Sequence, residues 1–157
     1  MTALIIFGAK YLVALVMLGG AVTLSFAGER RRRLTYLLAI ALPLGYALAR
    51  LAGLFFQHNQ PFAVEGFEPL LPHAVDNAFP SDHVAIAGVF ASVAFLADRR
   101  VGLVLWASAL LVGLARMLAG LHYGVDVLAA AVLALAAVWV ARLVLTRLAP
   151  GVGTGQS

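Results

Sequence analysis

Two polar clusters interrupt an otherwise apolar chain: Pro80-Ser81-Asp82-His83, and further on Arg116, His122 and Asp126. Ionisable groups at the ends of membrane helices are costly to keep there, so by default they mark a functional site. Their types suit phosphoryl transfer through a histidine. A cation holds the phosphate, one His attacks, a carboxylate orients it, and a second His protonates the leaving oxygen. His122 and Asp126 are four apart, which on a helix puts them on one face. A carboxylate so placed accepts one ring N–H, fixes the tautomer and leaves the other nitrogen free. Arg116 precedes His122 by six, with Gly120 between them as the expected helix break. The guanidinium can then turn back and fork two phosphate oxygens. Taken alone, this cluster could equally be a buried Arg–Asp pair with a capping His. Pro80-Ser81-Asp82-His83 reads as a helix start, with Ser81 as N-cap and His83 in the first turn, where backbone N–H groups favour an anion. Alone, it could be an ordinary cap with an incidental His.

The elements that must position these groups are membrane helices. The chain has 157 residues, 63% hydrophobic and 11% charged, with a mean hydropathy of +0.99. A soluble domain carries about a quarter charged residues. Five apolar segments are expected, at residues 3–26, 34–56, 82–97, 101–118 and 122–148. The third is short against the usual ~20 residues, which implies a tilt or partial shielding by the preceding loop. The expected architecture is all-α: a polytopic bundle of about five transmembrane helices forming one domain over residues 1–149. Pro150-Gly151 opens a Gly-rich tail, 150–157, expected to be disordered. Cysteine is absent, which excludes disulfides and thiolate metal sites. The pI near 10.1 does not indicate nucleic-acid binding, because no aromatic-interleaved basic surface accompanies the charge.

Orientation follows from the positive-inside rule. Arg30, Arg31, Arg32 and Arg33 place the first connection in the cytoplasm, most simply as a topology anchor with anionic-lipid binding as a secondary effect. The 57–81 loop then lies outside, Asp98-Arg99-Arg100 inside, Gly120 outside and the Arg142/Arg147 end inside. Both polar clusters fall together on the extracytoplasmic face, with the N-terminus outside and the C-terminus cytoplasmic. Ser25-Phe26-Ala27 has the look of a cleavage site, but there is no basic n-region, Lys10 interrupts the apolar run, and four arginines follow. The first segment is therefore expected to stay as an uncleaved helix.

With these residues in place, Pro80-Ser81-Asp82-His83 and the Arg116, His122, Asp126 spacing resemble the second and third motifs of the type 2 phosphatidic acid phosphatase superfamily, related to vanadium haloperoxidases. The resemblance covers residues 50–141. Phe79-Pro80-Ser81-Asp82-His83, with Asn77 upstream and Asp82 in place of the family's glycine, is most similar to the bacterial undecaprenyl-diphosphate phosphatase branch. It implies His122 as nucleophile, Asp126 as its partner, His83 as general acid, and Arg116 with the Ser81–Asp82 region as phosphate holders. It also implies a phosphohistidine intermediate, no metal or other cofactor, and a bacterial plasma membrane location. The chain departs from the family's first motif, Lys, six residues, then Arg-Pro. Pro61 fits, but Gln60 stands for Arg and Gly53 for Lys. Losing two phosphate-binding cations would cost several kcal/mol of charge stabilisation unless they are replaced. Arg50, one turn deeper than Gly53, and Lys10 are the candidate replacements by snorkelling, and Gln60 and Asn59 could donate neutral hydrogen bonds.

The remaining loop residues carry weaker signals. His58 and His73 read as ordinary loop histidines. Phe62, Phe67, Pro69, Leu70 and Leu71 suggest a loop resting on the membrane surface and guiding an isoprenoid tail. Glu65, Glu68 and Asp76 should point away from an anionic substrate. The expected substrate is undecaprenyl diphosphate. Phosphatidylglycerophosphate, phosphatidate and sphingosine phosphate are alternatives. So are a metal hydrolase built on His58, His73, His83 and Asp76, and a catalytically degenerate lipid-phosphate binder or flippase-like module.

Overall fold

The computed structural model describes residues 1–148, and every regular element among them is helical. In chain order these are α1 (Thr2–Lys10), α2 (Leu12–Ser25), α3 (Arg31–Phe55), α4 (Pro61–Glu65), α5 (Asp82–Ala97), α6 (Arg99–Leu118) and α7 (Gly124–Leu148), with a 3₁₀ turn at Gly28–Arg30. The tail at 150–157 lies outside the described residues.

Among the described residues, three helices are long and apolar enough to cross a membrane: Gly28–Phe55, Arg99–Leu118 and Gly124–Arg147. The first expected span is not one straight helix. α1 and α2 meet at Tyr11 with a 47° bend, and together they make a fourth candidate span. A side chain explains the bend: Arg116 of α6 donates from a terminal guanidinium nitrogen to the Ala9 carbonyl at 3.3 Å, just before the break. Polar insertion into the helix ladder is a standard cause of kinks. Close packing holds both halves, because a Cβ at Gly8 would meet Ala115 at 2.8 Å and one at Gly20 would meet Phe90 at 2.9 Å.

The third expected segment, α5, is the centre of the bundle. It has 16 residues, about 24 Å at 1.5 Å per residue, too short to cross unaided. It does not face lipid as the others do: α2, α3, α6 and α7 all pack against it, and from Val84 to Ala94 every position but Ile86 is buried. Small residues permit this enclosure, as where Gly88 leaves room for Ala134 of α7 and Trp106 of α6. α3 buries Leu34, Leu37, Ala41, Gly45 and Ala49, a three-to-four spacing that makes one stripe against α5 and α7. The outer faces stay apolar, with Leu15, Leu54, Leu103, Leu111, Val132 and Trp139 exposed.

Short caps set the helix starts that matter to the site. Asp98 accepts from the Arg100 and Val101 amides at 2.8 and 3.1 Å, so α6 begins at Arg99. α7 begins at Gly124, not His122, and this corrects the expectation that His122 and Asp126 share a helical face. Asp126 reaches back to accept the Tyr123 amide at 2.8 Å, half of a capping box, which fixes the start one residue after Tyr123. His122 therefore sits in the connecting turn. The 57–81 loop also differs from expectation. Phe62 is buried among Ala9, Ala119 and Leu121, and the Phe62 and Leu70 amides bond the Gly120 and Ala119 carbonyls at 3.1 and 3.2 Å. Gly120 has a φ of +80° there, and a Cβ would overlap the Phe67 ring. The loop is docked on the bundle through Phe62, while Phe67 and Leu70 remain exposed.

Candidate active site

At the end of the bundle where α3 finishes and α5 and α7 begin, a cavity of about 670 Å³ opens between α3, the 73–80 segment and the start of α5. Arg50, Asp82, His83, Arg116 and His122 all line it, so the structure brings five of the sequence-derived candidates to one place.

His122 is held at the cavity wall by main chain as well as by carboxylate. Its Nδ1 lies 2.9 Å from the Ala78 carbonyl oxygen and 3.5 Å from Asp126 Oδ2. A carbonyl only accepts, so Nδ1 carries the proton and Nε2 keeps its lone pair. Asp126 is fully buried behind the ring. Its carboxylate thus does two jobs, capping α7 through Tyr123 and facing the His122 donor.

Arg116, also buried, reaches the cavity from the last turn of α6. One terminal nitrogen stands 3.3 Å from both the Ala9 carbonyl and His83 Nε2. Guanidinium can only donate, so His83 Nε2 is the acceptor here and the His83 ring is neutral in this arrangement. His83 sits in the first turn of α5 as expected. Ser81 occupies the N-cap position, but its side chain makes no cap bond and its hydroxyl is buried without a partner. Its amide donates to the Asp126 carbonyl at 3.2 Å, which ties the start of α5 to that of α7. Ser81 is not part of the cavity lining.

The candidate replacements for the first-motif cations separate. Arg50 lines the cavity, stacked 5.1 Å over the Tyr46 ring and paired with Asp82. Lys10 is exposed, with its ammonium 5.1 Å from the Tyr11 ring, and is not part of the lining. Gln60 is buried and is not part of the lining: it donates to the carboxylate of Asp76, which does line the cavity, and accepts the Asp76 amide at 3.2 Å, stapling the loop. Gly53 has a steric reason. A Cβ there would lie 3.1 Å from the Phe79 carbonyl and 3.3 Å from Asn77 Nδ2, so the 77–79 segment fills the space a lysine stem would need.

Two residues matter more than their sequence signals suggested. Asn77 donates to the Gly53 and Phe56 carbonyls at 3.1 and 3.2 Å and accepts from the Phe79 amide at 3.1 Å, closing the end of α3 against the loop. His58, read as an ordinary loop histidine, stands with Nε2 2.9 Å from Asp126 Oδ1. The atoms are at ion-pair distance but off the line of a hydrogen bond, since neither has a hydrogen-bonded partner. Nothing in the spacing could have revealed a contact 68 positions apart. The competing metal-ligand set does not assemble: His58 faces Asp126, His83 faces Arg116, and among the described residues no three His, Cys, Asp or Glu side chains form a metal-binding group.

Comparison with known proteins shows the family and the fold. The PAP2 superfamily model matches residues 32–149. The "Bacitracin transport permease protein BcrC" of Bacillus licheniformis is 30% identical over 128 residues, covering 81% of this chain and 63% of that protein. The "Undecaprenyl-diphosphatase BcrC" of Bacillus subtilis (strain 168) is 35% identical over 91 residues, covering 58% of this chain and 47% of its own length. The chain thus spans less than two thirds of either relative. The crystal structure of Aquifex aeolicus LpxE superposes with a TM-score of 0.64 at 22% identity, covering 90% of this chain and 93% of that one, and so shares the fold. The chain belongs to the PAP2 superfamily, the type 2 phosphatidic acid phosphatases that its two polar clusters resemble.

Proposed function

We propose that this protein is a phosphatase that removes the terminal phosphate of a lipid diphosphate, undecaprenyl diphosphate, through a phosphohistidine on His122. The observation that carries the reading is the His122 ring. Its Nδ1 proton is committed to the Ala78 carbonyl with Asp126 behind it, so Nε2 faces the cavity beside Arg116 and His83. Nε2 attacks the terminal phosphorus in line, the bridging P–O bond breaks, and the departing lipid-phosphate oxygen takes a proton from His83. For that step His83 must be protonated and free of Arg116. An arriving phosphate supplies the exchange by drawing the Arg116 N–H groups to its own oxygens. His83, then neutral, accepts a proton from water as the water attacks the phosphohistidine and the P–N bond breaks. Asp126 stabilises the positive ring in between.

The name of the Bacillus subtilis relative, an undecaprenyl-diphosphatase, supports the substrate, and phosphatidylglycerophosphate or phosphatidate are the alternatives a lipid panel separates. In this reading the site faces the extracytoplasmic side of a bacterial plasma membrane, as the basic connections at Arg30–Arg33 and Arg99–Arg100 argue. The Arg50–Asp82 pair leaves Arg116 as the one cavity arginine without a carboxylate within ion-pair distance among the described residues, and this favours a binding-only reading as the rival.

Phosphate release from undecaprenyl diphosphate by purified protein in detergent, with chelator present, decides between them. Release that persists with chelator and falls at least ~10³-fold in His122→Ala establishes the histidine phosphatase. Lipid binding by folded protein without release establishes the rival.

A further inference from the structure

We infer that His58 is a positioning residue that holds both acceptors facing the Nδ1 proton of His122, an inference that rests on His122 being the nucleophile proposed above. The first acceptor is Asp126. His58 Nε2 lies 2.9 Å from Asp126 Oδ1, while the other carboxylate oxygen takes the Tyr123 amide and faces His122. Oδ1 has no hydrogen-bond partner of its own, and the residue is wholly shielded from solvent. A buried carboxylate oxygen without a donor is expensive, and His58 is the group that can compensate it.

The second acceptor is the Ala78 carbonyl. The Ala78 amide donates to the His58 carbonyl at 2.9 Å, so the residue whose carbonyl oxygen receives the His122 proton is anchored one peptide away by the same His58. The His58 amide in turn faces Asn77 Oδ1 at 3.3 Å. Its ring is seated edge-on to Tyr123, with centroids 5.5 Å apart, and 6.1 Å from the Phe79 ring. Tyr123 follows His122 in sequence and Phe79 follows Ala78, so the seat is built from the neighbours of both partners.

This arrangement separates two roles for one residue. The main-chain link survives any substitution, whereas the side-chain link to Asp126 needs a donor at the position of Nε2. His58→Ala removes that donor, and His58→Gln places an amide N–H near the same point.

Two measurements test the inference on the intact protein in detergent, with folding checked by thermal unfolding. The first does not depend on substrate. The chain has four histidines, so ¹⁵N-labelled imidazoles are few enough to resolve, and His122→Gln assigns the signal. The expected result is a slowly exchanging His122 Nδ1–H proton in the parent, broadened by exchange in His58→Ala and regained in His58→Gln. A sharp signal in His58→Ala, or none in the parent, overturns the inference. The second measurement is turnover. His58→Ala is expected to lower kcat by about tenfold or more with KM within about twofold, since misplacing a catalytic group by an ångström can cost ~10²-fold. His58→Gln is expected to recover most of it. Equal loss in both variants, or parent-level kcat in His58→Ala, also overturns it. If the parent releases no phosphate from any lipid, the proposed function fails, and the proton signal alone decides the place of His58.

Discussion

Arg50 of α3 and Asp82 of α5 form an ion pair at the rim of the cavity, each side chain about half exposed. The chain has a carboxylate where the family pattern has glycine, and that carboxylate holds the arginine best placed to replace a missing first-motif cation. An exposed pair of this kind contributes ~1 kcal/mol or less to stability, so its consequence is for substrate. Arg50→Ala leaves Asp82 unopposed beside the incoming phosphate and is expected to raise KM about tenfold. Asp82→Asn releases Arg50 and is expected to lower KM by a few-fold. The double variant should fall between the two, and a cycle of four KM values reads the coupling. Equal KM in all four proteins would show that Arg50 never meets the substrate.

Gly53 offers the reverse experiment, restoration of the lysine that the family pattern calls for. Because a Cβ would press on the Phe79 carbonyl and on Asn77 Nδ2, Gly53→Lys is expected to destabilise the protein by ~1–3 kcal/mol without raising turnover. Thermal unfolding and phosphate release on one preparation check both halves. A stable and faster Gly53→Lys would mean that the 77–79 segment yields easily and that the glycine is no steric requirement.

What the sequence revealed and what it hid divide along the range of the interactions. The start of α5 at Asp82, the turn at Gly120 and the grouping of Arg116, His122 and His83 rest on nearby residues or on ends of helices that must lie together. Helix α5 was visible as a short apolar run, but not as the buried centre, because enclosure depends on which helices surround it. The spacing of His122 and Asp126 gave the right proximity by the wrong route, with the Tyr123 cap rather than a shared helical face. The bend at Tyr11, the burial of Phe62 and the His58–Asp126 contact are set by partners more than 50 positions away. No local pattern encodes them.

Arg116 joins the bend of the first span to His83, the proposed general acid, through one terminal nitrogen that faces both acceptors and leaves the rest of the guanidinium for a phosphate. Lysine would keep the charge but is a single point donor on a flexible stem, so it cannot hold the Ala9 carbonyl and fork a phosphate together. Arg116→Lys is therefore expected to lower kcat/KM by ~10²-fold or more, the scale of losing one oriented donor in a buried site. Activity within a few-fold of the parent would mean that charge alone suffices and that the fork geometry is incidental.

Asp126→Asn isolates charge from architecture. The asparagine carbonyl oxygen can still accept the Tyr123 amide, so the start of α7 should survive, with stability changed by about 1 kcal/mol. The charge that would stabilise the proposed phosphorylated, positive His122 ring is lost, and an amide N–H can now face either His122 or His58. Loss of the corresponding carboxylate in a serine protease costs ~10⁴-fold, but there the carboxylate alone fixes the tautomer. Here the Ala78 carbonyl shares that task at 2.9 Å, nearer to Nδ1 than the carboxylate. The expected fall in kcat is accordingly smaller, ~10²- to 10³-fold, with His122 still protonated on Nδ1 by ¹⁵N NMR. A fall as large as that of His122→Ala, accompanied by a switched tautomer, would show that Asp126 rather than Ala78 governs the ring.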